Sequence, residues 1–447
     1  MMDFLWSVGG FLVAIGVLVA FHEFGHYWVA RRCGVRVLRF SIGFGKPIWT
    51  HRAADGVEWS VSAIPLGGYV KMLDGREGDV PPEQAHLAFN NQTVGKRALI
   101  VAAGPAFNFV LAAAFYWLIF VIGVQGMKPL IAAPPAGSVA AVSGLQAGET
   151  VQRVAGVETP TWQVLHTEMI DLALDRQAVA LDVLATDGSP RTVSLDLSAV
   201  RIDPEVLFTD LGLRPFDPPV PAVIDQVIDG EAAARAGFVS GDRLLAADGE
   251  TIESWQQWAA WVRARPAELV RVRFGRDGQI LEQDVILGDV EGQGRFGASV
   301  AMPADLWQDL RAEHRLGVLA ALPAAVTQTW KMSALTLKML WRMVLGDVSL
   351  KNVSGPIQIA QVAGFSAQVG LVSFLSFMAV VSVSLGVLNL LPVPMLDGGH
   401  LLYFGVEVVK GSPVSERVLE AGTRVGLLFL VALMSLAFYN DIVRLIP

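Results

Sequence analysis

The sequence predicts a polytopic α-helical membrane protein of about four transmembrane helices, with a β-hairpin region and two tandem α+β domains outside the bilayer. Three observations carry that prediction. Of the 447 residues, 53% are apolar and only 17% charged, against roughly 45–50% and about 25% in an average soluble domain; mean hydropathy is +0.48. Apolar stretches of spanning length lie towards both ends, and four spans at about 20 residues each use only about 80 residues, leaving room for ordinary domains. The third observation is an internal repeat between these stretches. A net charge of −8 argues against a nucleic-acid partner, which selects a basic face. With Cys33 as the single cysteine, neither a disulfide framework nor a cysteine-based zinc site forms within one chain.

Residues 1–30 form the first span. They lack a basic n-region, and charged and histidine residues interrupt the apolar run, so the segment is expected to stay in the mature protein. Arg31, Arg32, Arg36 and Arg39 follow and open a cytoplasmic, membrane-associated β region over 31–97. Turn signals at Gly43-Phe44-Gly45 and Gly67-Gly68, and the alternating run from Glu58 to Ile64, read as strands. The second span, 98–124, contains Gly104-Pro105 and the polar amide Asn108. From 125 to about 305 the hydropathy falls to that of a soluble domain. Here Gly144-Leu145, Gly148-Glu149, Gly156 and Trp162 match Gly237-Phe238, Gly241-Asp242, Gly249 and Trp255, each 93 residues further on. A shared offset for four landmarks indicates two copies of one fold, over 125–217 and 218–303. Residues 304–365 are expected to be amphipathic interfacial helices. Within them 316–345 is apolar but holds Pro323, Lys331, Lys338 and Arg342, which favours an interfacial pair over a fifth span. The third span is placed at 366–396, a cytoplasmic loop at 397–423 and the fourth span at 424–442.

The first span carries His22-Glu23-Phe24-Gly25-His26. On a helix, residues four apart share a face, so both imidazoles reach one metal while the glutamate addresses a water at that metal. Composition alone yields such a pattern about 0.01 times in a chain like this one. Ionisable residues inside a span cost about 2.5–3.5 kcal/mol each on insertion scales, which marks them as functional. Zinc needs a third protein ligand and an open fourth position. That ligand is sought in Asn389-Leu390-Leu391-Pro392-Val393-Pro394-Met395-Leu396-Asp397-Gly398-Gly399-His400, where two prolines break the third span and leave Asp397 on irregular chain at membrane depth. Such backbone is tolerated only beside protein or a water-filled cavity. His400 competes with Asp397, but lies beyond the glycine pair and further towards water. If the basic 31–97 region is cytoplasmic, the first span runs inwards, the repeats are periplasmic, and the third span delivers Asp397 to the histidines' half of the membrane. The ligands meet only if 316–345 does not cross.

These motifs, with Leu66-Gly67-Gly68-Tyr69-Val70-Lys71 and the Gly104-Pro105 and Asn108 pattern, resemble the bacterial site-2 proteases of the regulator-of-sigma-E protease type, over essentially the whole chain. The resemblance implies an intramembrane zinc metalloprotease in the bacterial inner membrane. It assigns His22, His26 and Asp397 to one zinc ion and Glu23 to the catalytic base. Asn389, Pro392 and Pro394 would shape the broken helix, Asn108 would line the site, and Gly67, Gly68 and Tyr69 would lie on the substrate side. The 57–72 segment would be a membrane-associated β-hairpin whose edge pairs with an unwound substrate, or a plain cytoplasmic hairpin. The repeats would be tandem periplasmic PDZ-like domains. Implied substrates are single-span proteins of the anti-sigma-factor type, already trimmed by another protease, and signal-peptide remnants. The chain is expected to be monomeric.

Neither repeat shows the Gly-Leu-Gly-Phe carboxylate loop of peptide-binding PDZ domains; Gly126 to Pro129 and Pro219 to Ala222 stand in its place. A size filter or a rigid spacer is therefore as good a reading as peptide binding. The rival classes are a non-enzymatic membrane scaffold with PDZ-like binding domains and a soluble metalloprotease with an N-terminal anchor. A vestigial site would be expected to have lost one of His22, Glu23, His26 or Asp397. An anchored soluble enzyme would not hold its histidines inside the span.

Overall fold

The computed structural model describes residues 2–445 other than 77, 176, 199, 201–205 and 304. Helix α1 (Met2–Arg32) runs unbroken through a stretch without proline and ends with Arg31 and Arg32, cations placed where the helix dipole favours them. Among the described residues it contains one of four segments long and apolar enough to cross a membrane, Phe4–Arg32, Val94–Ile122, Leu371–Leu390 and Glu416–Arg444. Strands β1 (Val37–Arg52) and β2 (Glu58–Met72) follow. The hairpin expected over 57–72 takes another form, because its two arms are not each other's partners. Residues 37–42 lie between them, pairing with 68–72 on one side and 58–61 on the other, and the second half of β1 returns to pair with 58–62. Gly43 at φ +91° permits that return. A Cβ there would stand 2.9 Å from the Ser62 and Ile64 carbonyl oxygens, too close for any other residue. The sheet seats on α1 through Tyr27, Phe40 and Trp59, whose rings lie 4.7–5.8 Å apart.

Helix α2 (Val94–Ile122) keeps Pro105 in its interior. It leads through β3 (Val124–Met127) into the repeats. The first contains β4 (Thr150–Val154), β5 (Val157–Glu158), α3 (Trp162–Ala173), β6 (Ala178–Leu184) and β7 (Pro190–Asp196). The second contains β8 (Arg243–Ala247), β9 (Glu250–Thr251), α4 (Trp255–Arg263), β10 (Leu269–Arg276) and β11 (Gln279–Ile286). Their sheets share one order, β5-β4-β6-β7 and β9-β8-β10-β11. The repeat extends to single atoms. Thr161 and Ser254 each cap the following helix by accepting from a backbone N–H three residues on. The buried Glu149 and Asp242 each take two bonds from an arginine, Arg191 and Arg276, which also donates to the carbonyl of Gly144 or Gly237. Strand β12 (Arg311–His314) pairs with β3, so the chain leaves the repeats beside the point where it entered.

The segment expected as an interfacial pair is one helix, α5 (Ala321–Val344), packed on α2 and outside the four apolar spans. Its basic side meets the first repeat: Lys331 pairs with Glu168 at 2.8 Å and Lys338 with Asp171 at 2.8 Å. A further helix, α6 (Pro356–Val369), crosses α1 where Gly10 faces the Ala363 carbonyl and Gly364 faces Ser7. Gly370, at φ +136°, separates it from α7 (Leu371–Leu390). The 397–423 segment, expected as a loop, is instead α8 (Asp397–Lys410) and the beginning of α9 (Glu416–Leu445).

The far end of α9 fixes the start of α6. Buried Asp441 accepts the N–H groups of Gly355, Ile357 and Gln358 at 2.9–3.2 Å, satisfying donors that a helix start leaves open. Asp441→Ala is expected to cost about 1–3 kcal/mol, read as a lower apparent melting temperature in detergent. Asp441→Asn, which keeps an acceptor, should fall between that variant and wild type.

Candidate metal and catalytic site

The site is built where α1 and α2 touch backbone to backbone. A Cβ on Gly25 would collide with the Ala103 carbonyl, and one on Gly104 would collide with the His26 ring and lie 2.8 Å from His22 Cε1. Two glycines facing across the interface thus let the imidazoles of His22 and His26 fill the space between the helices. Their ring planes stand 80° apart with centroids separated by 4.9 Å. The His26 Nδ1–H donates to the Ile100 carbonyl at 2.9 Å. A carbonyl only accepts, so that proton is fixed on Nδ1 and a neutral His26 presents a bare Nε2 to the site.

The third element arrives from the other end of the chain. Pro392 and Pro394 stop α7 from continuing, and Met395 adopts φ +85°, a conformation costly for a residue with a side chain. Gly398 and Gly399 turn back so closely that a Cβ on either would strike the carbonyls of 390, 391 or 393. Only 391–396 is irregular. Asp397, expected within that stretch, is the first residue of α8, where the helix dipole favours a carboxylate. Its Oδ2 lies 3.3 Å from His22 Nε2 and 3.5 Å from His26 Nε2, and the two Nε2 atoms are 3.2 Å apart. Donors about 2.0–2.1 Å from a tetrahedral zinc ion are separated by about 3.3 Å. Asp397 Oδ2 is moreover buried without a hydrogen-bond donor. A buried anionic oxygen facing the bare Nε2 of His26 calls for a cation, and the two imidazoles and one carboxylate present fit zinc. His400 lines the same cavity but falls outside this cluster.

A cavity of about 650 Å³ opens in front of the cluster. Of the residues picked out from sequence, His22, Glu23, His26, Gly68, Tyr69, Asn389 and Asp397 line it. Asn108 stands behind His22, fully buried, with its amide 3.1 Å from His22 Nδ1. Gly67 packs under the Phe44 ring, and Pro394 faces Gly422 and Gly426 of α9 rather than the cavity. Pro392 is likewise absent from the lining. Sequence reasoning missed Gly25 and Gly104 as the clearance for the two rings. It also missed Arg97, which ties α2 to Glu407 of α8 at 2.6 Å with both side chains largely buried.

Among the described residues, four helices of membrane length together with a partly buried His–Glu–His–Asp constellation define an intramembrane metalloprotease. Comparison with known proteins agrees: the model of peptidase family M50 matches residues 10–433, and the chain belongs to that family. It is 42% identical over 450 residues to the regulator of sigma-E protease RseP of Escherichia coli K12, all of both chains being covered. It is 43% identical over 452 residues, again with full coverage of both, to a putative zinc metalloprotease of Vibrio cholerae. The regulator of sigma E protease of Haemophilus influenzae is 40% identical, covering 99% of this chain and 100% of its own. This protein is a zinc-dependent membrane peptidase.

Proposed function

We propose that His22, His26 and Asp397 hold one zinc ion per chain, with Glu23 as the base, and that the enzyme cleaves single-span membrane proteins within the bilayer. The observation that carries this reading is the triangle of three ligand atoms with edges of 3.2–3.5 Å. Zinc, when bound, supplies a Lewis acid that polarises the scissile carbonyl and makes a water ionisable near neutral pH. Glu23 projects from α1 into the same cavity. It takes the proton of the attacking water and passes it to the leaving amine nitrogen. A substrate helix shields its carbonyls through i to i−4 bonds and must unwind before attack. Residues 68–72 favour that step: they pair with 37–42 on one side, and Gly68, Tyr69, Val70 and Met72 face the cavity. The unwound segment adds to this strand as a further strand, its backbone held beside Glu23.

The relatives' names support a place in sigma-E regulation, with substrates of the anti-sigma-factor type already trimmed outside the membrane, and signal-peptide remnants beside them. The chain works as a monomer in the inner membrane. Its site lies in the cytoplasmic half, and the two PDZ-like repeats lie in the periplasm and exclude substrates with large external domains. The test is metal removal. Purified protein should contain about one zinc per chain; a chelator should abolish cleavage of a single-span model substrate, and zinc should restore it. Undiminished cleavage by metal-free protein would overturn the proposal.

A further inference from the structure

Buried behind His22, Asn108 has a hydrogen-bonding pattern that does not agree with the site in front of it. The amide is wholly buried on α2. Its Nδ2 is placed 3.1 Å from His22 Nδ1, while its Oδ1 is buried with no hydrogen-bond partner. The backbone around it is fixed, because Ser382 on α7 donates to the Asn108 carbonyl at 2.7 Å. Nitrogen and oxygen of an amide have nearly the same shape, so orientation is settled by hydrogen bonding rather than by packing. If Nδ2–H donates to His22 Nδ1, that nitrogen must be bare, and a neutral imidazole then carries its proton on Nε2. That proton would point into the cluster formed with His26 Nε2 and Asp397 Oδ2 and would block His22 as a ligand.

We infer that Asn108 is a positioning residue for the metal site: its Oδ1 accepts the Nδ1–H of His22, fixing the tautomer that presents a bare Nε2. His26 is held in the same tautomer by a different acceptor, the Ile100 carbonyl. Each histidine thus has an acceptor behind it, one from the backbone and one from a side chain of α2. A ligating histidine is generally fixed in this way through its other nitrogen. The arrangement also gives a polar amide at membrane depth a purpose that needs no contact with substrate.

This inference rests on the proposed zinc site, and the experiment separates the two. Wild type, Asn108→Asp, Asn108→Leu and Asn108→Ala, purified in detergent, are titrated with a competing zinc chelator. Asp keeps an acceptor at this position and has no N–H to donate, whereas Leu and Ala offer neither. Asn108→Leu and Asn108→Ala should lose zinc at about 10–100-fold lower chelator concentration, with Asn108→Asp staying close to wild type. If Asp loses zinc as readily as Leu, the amide acts as a donor and the inference fails. If all three variants hold zinc as tightly as wild type, Asn108 does not position His22 and the inference fails again. Should Leu not fold, the smaller Ala variant supplies the comparison. A wild type without zinc would sink the metal site itself, an outcome distinct from either.

Discussion

Replacing Glu23 with glutamine should reduce cleavage of a single-span substrate by about 10²–10⁴-fold and leave zinc content unchanged. Glutamine has the shape of glutamate but cannot take a proton at neutral pH, so the substitution isolates the base. Two features of the site make the result interpretable. The cluster of convergent ligand atoms consists of His22, His26 and Asp397 without Glu23, so the metal should not depend on it. Gly68 leaves the room that Glu23 occupies, since a Cβ there would lie 2.8 Å from Glu23 Cγ. An amide of the same size therefore fits without displacing strand 68–72. Zinc measured beside single-turnover cleavage tests the claim. Activity near wild type would remove Glu23 from the base role, and loss of zinc together with activity would make it a ligand.

The parts of this molecule that were legible in the sequence are those encoded by spacing within one element. An apolar run of span length needs only its own residues, so four spans could be read directly. His22 and His26 are four residues apart on a helix, so their shared face follows from the geometry of one turn. The 93-residue offset carries even the capping residues Thr161 and Ser254. What could not be read depends on a second element. Residues 37–42 enter between the arms of 58–72 because Gly43 allows β1 to fold back, and no local pattern announces the partner. Asp397 read as loop because prolines precede it and Gly398-Gly399 have poor helix propensity; packing of α8 against α2 overrides that preference. Arg97 and Glu407 lie 310 residues apart, and neither charge identifies the other from the sequence alone. The repeats were visible as a fold twice used, whereas the docking of Lys331 and Lys338 onto the first repeat was not, since a basic helical face reads equally well as a membrane-facing one.

Gly104→Ala should have an effect opposite in sign to its local propensity. In an exposed helix this substitution stabilises by roughly 0.8–1 kcal/mol, and α2 taken alone would gain from it. At this position the added Cβ enters the space of the His26 ring and approaches His22 Cε1 to 2.8 Å. Neither ring has a free alternative, because His26 is tied to the Ile100 carbonyl and His22 abuts the Asn108 amide. The helices are equally constrained, since Gly25 already lies against the Ala103 carbonyl. The strain therefore falls on the two imidazoles and moves their Nε2 atoms out of the triangle with Asp397. A displacement of about 1 Å in such a constellation costs about 10²-fold, so zinc affinity and cleavage should each fall by at least that factor while the helix content of the protein is kept. Gly16→Ala on α1, where an added methyl meets nothing within 4 Å, is the matched control and should change neither. Wild-type zinc affinity and cleavage in Gly104→Ala would mean that α1 and α2 can separate without cost, and that the close approach of the two helices is incidental to the site.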